Sequence, residues 1–136
     1  MENRYLFRGK CKSNGKWVFG DLNHSVCKIG DTCIGQYGTE VGMYEVDPST
    51  VCQCTGGKDK NSKLIYENDI AKDDKGNLYK AFWQDKHYQF SWMCVNSEKL
   101  PIGAKWNFDC FRGYEMEVIG NVFDNPELLE GSHDGE

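Results

Sequence analysis

Four cysteines come first among the residues that could do chemistry. Cys52 and Cys54 stand two apart, so in an extended segment both thiols lie on one face. Cys27 and Cys33 flank a turn not far upstream, and four thiolates could hold a tetrahedral zinc ion. The spacing argues against it, because a zinc knuckle needs two residues between paired cysteines to turn both sulfurs inward. Seven cysteines are also an odd number, so complete pairing within the chain is impossible. Met1-Glu2-Asn3-Arg4 begins the sequence without the apolar run of an export signal, which points to reduced thiols buried as small hydrophobes. Cys27, Cys33, Cys52 and Cys54 are therefore weak metal candidates, and no cofactor is expected.

Nucleophilic catalysis is less well provided for. It needs a Cys or Ser within reach of a His and a third group to orient that His. Only His24 and His87 precede the tail, and neither sits in a nucleophile motif. His87 follows Gln84-Asp85-Lys86 and reads as a solvated turn residue. Asp21 and Asp69 read as carboxylates bonded to backbone N–H groups at strand starts, and Asp73-Asp74 as turn residues. Neither Gly-x-x-x-x-Gly-Lys-Ser/Thr nor Gly-x-Gly-x-x-Gly occurs, so no phosphate loop is encoded. The expectation is a protein that is not an enzyme.

Binding chemistry has one better candidate. Phe82, Trp83, Tyr88 and Trp92, with Lys80 and Lys86 among them, could stack the bases of a single strand in a basic groove. Lys99, Lys105 and Arg112 lie nearby in sequence. The competing reading, that two strands bury their rings in a core, is favoured. Charge adds to it. The net charge of −5 belongs to the end of the chain, where Asp124, Glu127, Glu130, Asp134 and Glu136 occur without Lys or Arg. The rest is balanced at 16 bases and as many acids, which leaves no basic footprint for nucleic acid.

The elements that position these residues are strands. Apolar and polar residues alternate with period two nearly throughout, and 15 Gly against 3 Pro suits tight turns. Arg4–Arg8 and Lys16–Leu22 read as a hairpin around Ser13-Asn14-Gly15. Ser25–Ile29, Cys33–Tyr37, Met43–Val46 and Thr50–Thr55 follow as strands, and Gly56–Lys63 as a polar turn region. Asp69–Lys72, Leu78–Trp83, His87–Cys94 and Tyr114–Phe123 are the later strands, with Lys99–Cys110 a loop carrying one short strand. In His87–Cys94 the alternation places Tyr88, Phe90, Trp92 and Cys94 together, facing a core. Asn125–Glu130 reads as one helical turn with Pro126 at its first position. The predicted fold is all-β: two small barrel-like, SH3-like lobes packed together, residues 1–57 and 64–130, a short C-terminal helical turn, and a disordered tail at 131–136. No apolar run is long enough to span a membrane as a helix.

Four segments, in order, resemble the YopX family of phage and prophage proteins of uncharacterised function. They are Tyr5 to Lys10, Trp17 to Leu22, Val51 to Ile70, and Val118 to Leu128. The resemblance implies a mostly β protein of phage origin and unassigned function; with no export signal read at Met1 to Arg4, the cytoplasm of the infected or lysogenic bacterial host is its expected place. The family's central motif usually reads Tyr-Glu-Gly-Asp, whereas Asn68 stands here in the glycine place. Asn is the non-glycine residue that best tolerates left-handed φ, so a turn is expected before Asp69. The sequence-level expectation is an accessory protein working through protein–protein contacts or self-assembly, a homo-oligomer with a phage or host protein as further partner. Lys58, Asp59, Lys60 and Tyr66 are its candidate exposed binding residues. A nucleic-acid-binding module is the alternative, and a zinc-binding protein a distant one.

Overall fold

A three-residue 3-10 turn, Asn3–Tyr5, opens the chain where a strand was expected, and the first strand, β1, begins only at Phe7 (Phe7–Lys10). The computed structural model describes residues 3–23, 32–36, 42–108 and 115–129. The predicted strand Ser25–Ile29, His24, Cys27, Arg112 and the tail 131–136 lie outside the described residues. By its contacts the chain divides into two units, Met1–Gly56 and Gly57–Glu136.

In the first unit β1 is antiparallel to β2 (Trp17–Asn23), from Phe7 opposite Gly20 to Lys10 opposite Trp17. Their turn is the one Ser13-Asn14-Gly15 announces. Gly15 takes φ 72° and donates its N–H to the Cys11 carbonyl, while the Asn14 carboxamide accepts the Lys16 N–H. β2 pairs with β3 (Cys33–Gln36), which pairs with β4 (Gly42–Glu45). A 3-10 turn at Pro48–Thr50, capped by Asp47, leads into β5 (Cys52–Lys58), which lies on the other side of β1. Cys11, Val18, Ile34 and Val46 form the core of this unit. Gly9 lets Val46 and Ile34 approach to within 3.2 Å of where its Cβ would stand.

β5 runs two residues beyond Gly56, so the polar turn is shorter than predicted, Asp59 to Lys63, and leads to β6 (Leu64–Tyr66). The first sheet has the order β4-β3-β2-β1-β5-β6. The second unit carries β7 (Asp69–Lys72), β8 (Leu78–Gln84), β9 (Gln89–Asn96), β10 (Lys105–Asn107) and β11 (Glu117–Asn121). They form an antiparallel sheet ordered β10-β9-β8-β7-β11. Ile65, Ala71, Tyr79, Ala81, Trp92, Cys94, Met116 and Val118 are its core, where Trp92 alone contributes about 3 kcal/mol by leaving water. Among the described residues the fold is all-β, in two open sheets without barrel closure. Among the described residues no helix is long and apolar enough to cross a membrane.

Candidate functional site

The Asp59 turn does not present the surface expected of it. Asp59 is only 5% exposed and Tyr66 6%, a correction to the reading of both as exposed binding residues. The Asp59 carboxylate accepts the Asn61 and Lys63 N–H groups on one oxygen, at 2.8 and 2.9 Å, and the Val118 N–H on the other at 2.9 Å. The Lys60 N–H donates to the Met116 carbonyl at 2.8 Å. The turn is thus docked on β11, the edge strand of the second sheet, and occupies backbone groups that an open edge would offer to another chain. Lys58 and Lys60 do remain exposed, and the Lys60 ammonium lies 3.8 Å from Glu117.

Tyr66 to Ile70 is structural as well. Asn68 takes φ 70°, as expected of the residue in the glycine place. Its N–H donates to Ala81 O at 2.7 Å and its carbonyl accepts from Val122 N at 3.0 Å, which ties the turn to β8 and to the end of β11. Asp69 is buried and accepts the Tyr66 N–H at 2.8 Å. Asp21 sits inside β2 and not at a strand start.

An open cleft of about 630 Å³ lies in the second unit, beside the β7–β8 turn. Asp73 repeats the Asp59 pattern there, with one oxygen accepting from the Lys75 and Asn77 N–H groups at 2.9 Å each. Its other oxygen accepts from the Asn77 carboxamide at 3.0 Å and the Tyr79 hydroxyl at 2.8 Å. Burial raises the Asp73 pKa, but these donors outweigh it and hold the carboxyl below its ordinary value. Burial and then the Asp73 carboxylate push the Tyr79 hydroxyl well above its own. Ser97 donates to the Asn77 carboxamide oxygen at 2.6 Å and accepts the Lys99 and Leu100 N–H groups, joining the turn to the β9–β10 loop. Leu100 and Trp106 supply the apolar wall, Trp106 standing edge-on to Tyr79 at 5.6 Å. Sequence reasoning missed this cleft: the Asn77–Ser97 link spans 20 residues, and nothing local marks it.

The aromatic candidates divide between surfaces. Lys80 pairs with Met93 and Phe82 with Ser91, whereas Ala81 pairs with Trp92 and Trp83 with Phe90. Strand alternation therefore sends Lys80 and Phe82 to one face, Trp83 and Trp92 to the other. Trp92 is 1% exposed and stacks on Phe108 at 4.6 Å, so it is a core residue. Tyr88 corrects its prediction in the opposite sense. A 3-10 turn at Asp85–His87 interrupts the strand, Tyr88 follows with φ 54°, and its ring is 83% exposed. Trp83 is 43% exposed and meets Phe90 edge-on at 5.1 Å. Lys86 and His87 are exposed at the same hairpin end.

Cysteine chemistry recedes. Cys52 and Cys54 are fully buried, and the Cys52 thiol donates to Thr50 O at 3.2 Å. Cys33 is disulfide-bonded, which corrects the expectation of seven reduced thiols and removes it as a thiolate ligand. Among the described residues no three His, Cys, Asp or Glu side chains are grouped to hold a metal ion.

A family model described as YopX protein matches residues 6–130, nearly the whole chain. The chain belongs to the YopX family. Among solved structures, the crystal structure of protein EF1440 from Enterococcus faecalis is similar, with a TM-score of 0.56 and 24% identity. The match covers 91% of this chain and 96% of that one, and at this identity it speaks for the fold alone. No curated protein matches. In this YopX chain the segment from Val118 to Leu128 runs from β11 through a built turn into a 3-10 turn at Pro126–Leu128. Asn121 accepts the Phe123 and Asp124 N–H groups at 2.9 Å, and the Asn125 side chain occupies the space a Cβ on Gly120 would need.

Proposed function

We propose that this YopX-family protein is a phage-encoded, non-enzymatic accessory protein that works by contacting other proteins in the cytoplasm of its bacterial host. A second copy of the chain is the first partner, met through the β8–β9 hairpin end. The observation that supports this reading is the pair of exposed aromatic rings there, Trp83 and Tyr88, next to half-buried Phe90. Trp83 and Tyr88 stand at one hairpin end, and exposed Trp and Tyr are among the residues that most often anchor protein contacts. Lys86 between them supports a second reading, stacking on single-stranded nucleic acid.

Sedimentation equilibrium over a wide concentration range tests the first reading. The unmodified chain is expected to self-associate, and the Trp83→Ser/Tyr88→Ser variant to stay monomeric. A monomer at every concentration removes the self-association. A tagged pull-down from infected cells, with and without nuclease, then separates the remaining cases: partners that survive nuclease and are lost in the double variant support protein contact, and captured material that disappears with nuclease favours the alternative.

A further inference from the structure

We infer that the cleft beside the β7–β8 turn binds a small organic anion with a flat apolar body. Its volume of about 630 Å³ falls within the range of small-molecule sites. The polar groups on its floor are already spent. Four donors occupy the four lone-pair positions of Asp73, and the Asn77 carboxamide donates to Asp73 and accepts from Ser97. A ligand with many hydroxyl groups would find little to bond there, because displacing these contacts leaves protein groups unpaired.

What the cleft offers instead is a wall and a rim. The wall is apolar, Leu100 beside the indole of Trp106, and accepts a ring by stacking or edge contact. Lys75, from the β7–β8 turn, and Lys99, from the β9–β10 loop, line the rim, and among the described residues neither ammonium has an ion-pair or hydrogen-bond partner. With Asp73 and Glu98 the lining is balanced in formal charge, but the lone-pair positions of Asp73 are taken by four donors, so an anion finds two ammonium groups to bond and a cation finds only Glu98 among the described residues. The two loops carrying the lysines are tied to each other by the Ser97–Asn77 hydrogen bond, which lessens the loop ordering left for a ligand to bring about. Either a carboxylate or a phosphate can meet the rim; the apolar body selects among anions.

Amide and indole NMR titrations of the full chain test this with four probes: phenylacetate, phenyl phosphate, benzylamine and inorganic phosphate. One or both aromatic anions are expected to shift the Trp106 indole N–H and the amides of Lys75 to Asn77 and of Lys99, with a Kd of about 1 mM or tighter. Which of them binds more tightly distinguishes a carboxylate from a phosphate source. Benzylamine, the same body with opposite charge, and inorganic phosphate, the charge without the body, are each expected to bind at least about tenfold more weakly. In Lys75→Gln/Lys99→Gln, whose dispersed spectrum reports an intact fold, the aromatic anion is expected to weaken about fivefold to tenfold. No shift at these positions, equal binding of benzylamine, or an unchanged Kd in the folded double variant would each overturn the inference.

Discussion

Two aspartate turns with the same local hydrogen bonds do different work. Asp59 and Asp73 each take the N–H groups two and four residues ahead onto one carboxylate oxygen. Asp59 spends its second oxygen on Val118, 59 residues away, and closes the edge of a sheet. Asp73 spends its second oxygen on Asn77 and Tyr79, within its own hairpin, and leaves a cleft open beside it. The local chemistry makes a turn; the distant partner decides whether that turn is a seal or a frame.

Removing the seal should cost most. Asp59→Ala leaves three backbone donors without their acceptor, one of them on the edge strand, and is expected to lower the unfolding free energy by about 3 kcal/mol in urea denaturation. Hydrogen exchange at Val118 should accelerate together with that loss. A change near zero would mean that the edge needs no cover, and the contrast between the turns would disappear.

The frame should yield less. Asp73→Ala is expected to cost about 1–2 kcal/mol and Tyr79→Phe about 1 kcal/mol. Because the two groups share one hydrogen bond, the double variant should cost less than the sum, by about 0.5 kcal/mol or more. Additive losses would show that the hydroxyl and carboxylate act separately.

Protonation sharpens the same comparison without changing a side chain. The folded-state pKa of Asp73 lies below its unfolded value, so its stabilisation is present above the unfolded value and lost as pH falls through the folded one. Unfolding free energies measured from about pH 5 to pH 2 should therefore fall less steeply in Asp73→Asn than in the unmodified chain. Equal slopes would deny Asp73 its part in acid sensitivity.

Glycine at Asn68, a position in neither aspartate turn, should give the smallest effect. With φ at 70°, Asn68→Gly should change stability by no more than about 0.5 kcal/mol in thermal or urea unfolding. Asn68→Val, by contrast, should cost about 1–2 kcal/mol, since a branched side chain resists that conformation.

This contrast also shows what could be read in advance. Asp59-Lys60-Asn61-Ser62 and Asp73-Asp74-Lys75-Gly76-Asn77 announce turns by composition alone, and Asn68 announces left-handed backbone by replacing glycine. That Asp59 points inward depends on Val118, which no window around Asp59 contains. Period-two alternation correctly put Trp92 and Cys94 in the core, yet failed at Tyr88 because a 3-10 turn resets the phase just before it. The same alternation could have separated Phe82 from Trp83, since neighbours in a strand cannot share a face. The cleft was illegible for the reason Asp59 was: its two sides meet through side chains far apart in sequence, Asn77 with Ser97 and Tyr79 with Trp106.

Tyr88 carries a consequence for stability. A tyrosine at φ 54° with its ring in water gains little by burial and carries a conformational cost of about 1–2 kcal/mol that glycine would avoid. Tyr88→Gly should therefore make the protein harder to unfold. If the hairpin end is the contact surface proposed above, Tyr88 is where stability is given up for binding.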